Sequence, residues 1–220
     1  MNMLRAALMM LCVLCASSAL ADTPNGATLA QQGNGHGVAP CMACHGADGG
    51  GQAAAGFPRL AGLSLAYLRK QLDDFANGSR VNATMQPVAS GLSDAERDAV
   101  TAYYSKLPLP SATPSPAPSG DTAQVGQRLA TRGRWSDALP ACEQCHGPDG
   151  VGVGDHFPPL SGQSAVYLSN QLHAWQQGSR RNDPLQLMQS VSRKLSDDDV
   201  AAISAWYAAH MNVSSKEQQP

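Results

Sequence analysis

Two short stretches of this chain hold residue types that could do chemistry together. Cys41-Met42-Ala43-Cys44-His45 and Cys142-Glu143-Gln144-Cys145-His146 place two thiols three positions apart, with an imidazole directly after the second. C-x-x-C-H is the attachment signature of a c-type haem. Its spacing has a mechanical cause. Three residues make about one helical turn, so both thiols can add to the two vinyl groups on one edge of a porphyrin. The next residue then swings its imidazole under the ring to bind iron. Three rival chemistries fit less well. A zinc ribbon pairs its C-x-x-C units about 15–20 residues apart, whereas these lie 101 apart (142 − 41). A thioredoxin-like redox pair needs a βαβ pattern, which is absent. Disulfides would leave the histidine after both pairs unexplained.

The other axial position decides between a carrier and an enzyme. Met85 follows His45 by 40 residues and Met188 follows His146 by 42; each stands eight residues before a serine, Ser93 or Ser196, that opens a helical pattern. Methionine is often core filler, but its recurrence at an equivalent place nominates Met85 and Met188 as thioether ligands in a loop. Met42 is confined to the attachment motif, and Met211 has no partner in the first copy. His36, His156, His173 and His210 also lack repeat counterparts and are expected to be exposed. His/Met ligation favours Fe(II), raises the potential and leaves no position for an exogenous ligand. A ligating imidazole normally donates its other N–H to a carbonyl. Pro58 and Pro158, 13 and 12 residues after the motif histidines, could present one or could simply punctuate a loop. Arg80 and Arg180 could pair with haem propionates or be solvated.

These residues are positioned by a unit written twice. "GFPRLAGLSLAYLRKQLDDFANGSR" (56–80) matches "HFPPLSGQSAVYLSNQLHAWQQGSR" (156–180) at an offset of 100, while the region around Met188 carries three extra residues within "RNDPLQ". Leu65, Leu68, Leu72 and Phe75 form a helical stripe ended by Gly78. Ser93 with Glu96 makes a capping box, and Ser196 with Asp199 a weaker one. No alternation of β-branched residues marks a sheet, so an all-α fold is expected. "LPLPSATPSPAPSG" (107–120) has five prolines and should run as a semi-extended strap. The expected plan is a signal peptide over 1–21, a first domain over 22–107, a linker over 108–120 and a second domain over 121–220. "MNMLRAALMMLCVLCASSALA" has the basic start, apolar run and A-x-A end of a secretory signal, cleaved after Ala21. The mature chain is therefore expected in the periplasm.

C-x-x-C-H-G-x-D-G, F-P-x-L-x-G-x-x-x-x-Y-L-x-x-Q-L, G-S-R and a Met before L-S-D, repeated across a Pro-rich linker, make the chain resemble the dihaem cytochrome c4 family. The resemblance covers residues 25–210. It implies two tandem class I cytochrome c domains about a pseudo-twofold axis, with two covalent haem c groups. Cys41, Cys44, Cys142 and Cys145 would carry the thioethers, and His45, Met85, His146 and Met188 would bind iron. The implied role is a non-enzymatic electron carrier between a quinol-oxidising complex and a terminal oxidase.

Two other roles are compatible with parts of this pattern. The chain could be the dihaem subunit of an oxidoreductase such as a flavocytochrome sulfide dehydrogenase. A dihaem peroxidase or a thiosulfate dehydrogenase would need an open iron, against the paired methionines. The formal net charge of −2 gives no basis for a nucleic-acid partner. Residues 22–109 hold 6 Lys/Arg against 7 Asp/Glu, and 121–220 hold 8 against 10, so a strongly anionic docking partner is not expected. Peripheral contact with a membrane is left open.

Overall fold

The computed structural model describes residues 23–110 and 115–210. The expected signal segment, Met211 and the centre of the linker lie outside these residues. Ten α-helices and three short 3-10 turns are present among them, with isolated β-bridges in place of a sheet.

The first half holds α1 (Gly26–Gln32), α2 (Met42–His45), α3 (Leu65–Ala76), α4 (Met85–Ser90) and α5 (Asp94–Lys106). The second repeats the set as α6 (Gly120–Thr131), α7 (Glu143–His146), α8 (Ala165–Gln176), α9 (Leu187–Ser192) and α10 (Asp197–Ala209). In each half the first helix crosses the last, and the longest middle helix packs on the last as well. The crossings depend on glycine. A Cβ on Gly26 would stand 2.1 Å from the Ala99 carbonyl oxygen, and one on Gly126 2.7 Å from that of Ala202. Both expected capping boxes form: Ser93 and Glu96 exchange side-chain and backbone bonds at the start of α5, and Ser196 and Asp199 do so at α10.

The cores are aliphatic with one buried tyrosine each. Leu29, Leu63, Leu68, Leu92, Val100 and Tyr104 fill the first; Leu129, Leu139, Leu168, Ile203 and Tyr207 fill the second. The stripe on α3 needs one correction. Leu68 and Phe75 are buried and Leu72 is half-buried, but Leu65 is 45 % exposed. The helix instead buries a second, polar side, Gln71 and Asp74, against the other half of the molecule. Apolar spacing alone could not reveal a face made of amides and carboxylates.

The halves meet with local twofold symmetry. Val81 N–H donates to Ser179 O (2.8 Å) and Arg181 N–H donates to Ser79 O (2.7 Å), around an antiparallel bridge between Arg80 and Arg180. Arg80 reaches Gln171 Oε1 (2.6 Å) and the Tyr167 hydroxyl (3.0 Å); Arg180 reaches Gln71 Oε1 (3.2 Å) and the Tyr67 hydroxyl (3.5 Å). Each guanidinium also lies over an aromatic ring of its own half, Phe75 at 4.4 Å and Trp175 at 3.9 Å. Both arginines are buried, which removes the solvated reading.

Candidate functional site

Cys41 and Cys142 each begin a single helical turn, so the second thiol and then the histidine follow on one side. The His45 amide bonds back to the Cys41 carbonyl at 2.9 Å, and the His146 amide to that of Cys142 at 2.9 Å. All four cysteines are unbridged. Burial pushes the Cys142 thiol up to about 12 and raises that of Cys41, so both are neutral, as a thioether is. Among the described residues no group of three or more His, Cys, Asp and Glu could hold a metal ion, which leaves no zinc cluster for these thiols.

The chain after each histidine returns to hold it. Gly51 N–H donates to the His45 carbonyl (2.8 Å) and Gly152 N–H to that of His146 (2.7 Å); Leu60 and Leu160 amides close the loop on Gly49 and Gly150 at 2.8 Å each. The return is tight enough to require glycine. Gly51 has φ +84°, and a Cβ there would stand 2.5 Å from the Phe57 carbonyl oxygen. The result aims two carbonyls at two imidazoles. His45 Nδ1 lies 3.0 Å from Pro58 O, and His146 Nδ1 lies 2.8 Å from Pro158 O. Nδ1 must carry the proton to donate to a carbonyl, which leaves the Nε2 lone pair free. Burial lowers the pKa of both rings, so each is neutral near pH 7. His146 Nε2 is buried with no hydrogen-bond partner. A buried, unsatisfied imidazole nitrogen asks for an explanation, and a metal ion in front of it is one.

That nitrogen faces an apolar cleft in the second half, enclosing about 1280 Å³ of atom-free space that is partly open to solvent. A water molecule takes about 30 Å³, so the cleft has room for a group much larger than water. Cys142, Cys145, His146 and Met188 line the same cleft, joined by Arg180 and, from the other half, Leu63 and Tyr67. Met188 is half-buried in α9 and Met85 is half-buried at the first position of α4. The expectation of a loop is thus corrected: Met85 is the first and Met188 the second residue of a six-residue helix. Residues not anticipated from sequence hold these helices in place. Asn82 Oδ1 accepts from the amides of Thr84 (3.0 Å) and Met85 (2.9 Å), and Asp183 Oδ2 accepts from those of Met188 (2.5 Å) and Gln189 (3.3 Å). An Asx residue shortly before each methionine was the available signal.

The remaining histidines divide. His36 and His156 are exposed as expected. His173 and His210 are half-buried: the first bonds Gln176 Oε1 at 2.9 Å, and the second stacks on Trp206 with ring centroids 3.8 Å apart.

The cytochrome c family model matches residues 25–108 and 123–208. The crystal structure of reduced recombinant cytochrome c4 from Pseudomonas stutzeri superposes with a TM-score of 0.70 at 35 % identity, covering 77 % of this chain and 93 % of that one. The chain belongs to the dihaem cytochrome c4 family. Two domains make it a dihaem cytochrome with two covalently bound haem c groups and an electron-transfer role, and the thiol turns, orphaned imidazole and apolar cleft suit that group. Two further relatives of this cytochrome c4 bear a different name. The "thiosulfate dehydrogenase electron acceptor" of Stutzerimonas stutzeri is 53 % identical over 180 residues, 80 % of each chain. The thiosulfate dehydrogenase TsdBA of Marichromatium purpuratum has a TM-score of 0.78 at 45 % identity, over 84 % of this chain but 39 % of that protein.

Proposed function

We propose that this cytochrome c4 is an exported electron acceptor for a thiosulfate-oxidising dehydrogenase, relaying single electrons onward to a respiratory acceptor such as a terminal oxidase. It is not itself the dehydrogenase. In this reading Cys41, Cys44, Cys142 and Cys145 form the thioethers, and His45 with Met85 and His146 with Met188 are the axial ligands. Haem would supply a one-electron Fe(III)/Fe(II) couple; His45 and Met85 in the first half, and His146 and Met188 in the second, would hold it. The observation that carries this reading is that the orphaned His146 Nε2 and Met188 belong to one cleft, which supports a closed iron rather than a substrate site. The proline carbonyls fix the imidazole tautomers, and the buried Arg180 at the cleft can meet a propionate.

The donor is drawn from relatives. Identity to the acceptor protein exceeds that to the superposed cytochrome c4, 53 % against 35 %. The match to TsdBA spans well under half of that chain, so the shared part need not be the catalytic one. Export rests on the signal pattern over 1–21. Among the described residues no helix is long and apolar enough to cross a membrane.

Mixing the oxidised protein with a thiosulfate dehydrogenase and thiosulfate should reduce both haems, two electrons per chain, at a rate set by dehydrogenase concentration. Omitting the dehydrogenase should leave the haems oxidised. Reduction by thiosulfate alone would make the chain an enzyme. Reduction by a quinol-oxidising complex but not by the dehydrogenase would return the donor assignment to the quinol branch.

A further inference from the structure

Beside one imidazole acceptor the two halves differ in a buried charge. Arg59 follows Pro58, whereas Pro159 follows Pro158. Arg59 is only 7 % exposed. Its guanidinium donates to Ala61 O (2.7 Å) and Ser161 O (3.3 Å), its amide donates to Gln163 Oε1 (3.1 Å), and its carbonyl accepts from Gln163 Nε2 (2.9 Å). Ala61 and Ser161 are repeat equivalents, so the cation sits between the two halves. Every one of these partners is neutral, and among the described residues no carboxylate forms an ion pair with it. Burial pulls its pKa down to about 10, which still leaves a cation at neutral pH.

We propose that Arg59 is a potential-setting residue that raises the reduction potential of the first domain's haem more than that of the second. Two effects act in the same direction at the first haem. The charge lies in a low-dielectric interface, where its attraction for an added electron is weakly screened. Arg59 is also the residue directly after Pro58, whose carbonyl accepts from His45. A cation beside that acceptor weakens it, so the imidazole keeps less anionic character and supports Fe(III) less. The Pro158 carbonyl is followed by a proline with no charge and no N–H. The His45 bond is the longer of the two, 3.0 Å against 2.8 Å. In the half-reduced protein Arg59 therefore biases the electron toward the first iron, with no bond or proton changing place.

This inference rests on His45 and His146 being iron ligands, and its test separates the two ideas. Arg59→Gln, Arg59→Lys and the reciprocal Pro159→Arg would be titrated electrochemically, following haem-methyl NMR signals assigned to each domain. A low-spin, imidazole-ligated spectrum in the unsubstituted protein secures the ligands first; without it the ligand reading itself fails. Arg59→Gln should then shift the electron partition about tenfold toward the second haem, equivalent to 59 mV for one electron. Arg59→Lys should recover most of that shift, and Pro159→Arg should move the partition the same way as Arg59→Gln. Unchanged midpoints, equal shifts at both haems, or a lysine variant no better than glutamine would overturn the proposal.

Discussion

On the histidine side, the two domains use the same parts: a glycine-closed loop, a proline carbonyl and a buried imidazole. On the methionine side they do not. The first domain caps its methionine helix with Asn82, two bonds of 2.9 and 3.0 Å from one amide side chain. In the second, the three extra residues hand that task to the carboxylate of Asp183. Asn182, the equivalent of Asn82, is then free to cross the interface, donating to Gln71 Oε1 (2.9 Å) and Asp74 Oδ2 (2.7 Å). The comparison teaches that the imidazole side tolerates little variation, while the methionine side can be rebuilt if some acceptor still holds the helix start. It also shows how a duplicated domain acquires a docking surface without losing its pocket.

The largest effects should come from breaking the shared side. Gly51→Val or Gly152→Val places branched carbons where the returning backbone lies within 2.5 or 2.8 Å of a Cβ. Each should reduce haem content from two to about one per chain, measured by mass spectrometry, with the untouched domain retaining its haem. Intermediate effects should come from the divergent side. Losing a helix-capping acceptor costs about 1 kcal/mol, and bonds to a charged acceptor are stronger. Asn82→Ala and Asp183→Ala should therefore make each methionine several-fold easier to displace by added imidazole, with the larger change for Asp183→Ala. Equal changes at the two sites would remove the distinction drawn between them.

The smallest effect concerns the last helices. Burial alone would raise the Asp199 carboxyl, but the Ser196 backbone N–H and Arg134 outweigh it and hold the group below the usual carboxylate range. A depressed folded-state pKa contributes stability above the unfolded value and loses it as pH falls through the folded one. The second domain should thus loosen under acid below the ordinary carboxylate pKa, and Asp199→Asn should remove that dependence at a cost of about 1 kcal/mol at neutral pH. Urea unfolding of each variant across pH checks this.

The repeat, the capped last helices, the turns that carry the cysteine pairs and the histidine acceptor were legible in sequence because each leaves a local signature: fixed spacing, a capping pair, a proline at a set distance. The interface was not. Gln71, Asp74, Arg80 and Arg180 look like solvated residues on a helix or loop, and only contact with the other half buries them. Leu65 failed for the converse reason, since an apolar residue at the right spacing can still face water. Asn82 and Asp183 were missed because a short side-chain cap leaves too weak a pattern to separate from ordinary loop polarity.

Iron K-edge X-ray absorption of the oxidised protein tests the closed-iron account most directly. The account requires one sulfur and five nitrogen neighbours at each iron, averaged over both sites. A shell of nitrogen alone, or with sulfur at half that occupancy, would mean that at least one methionine is not bound and that chemistry at that haem is open.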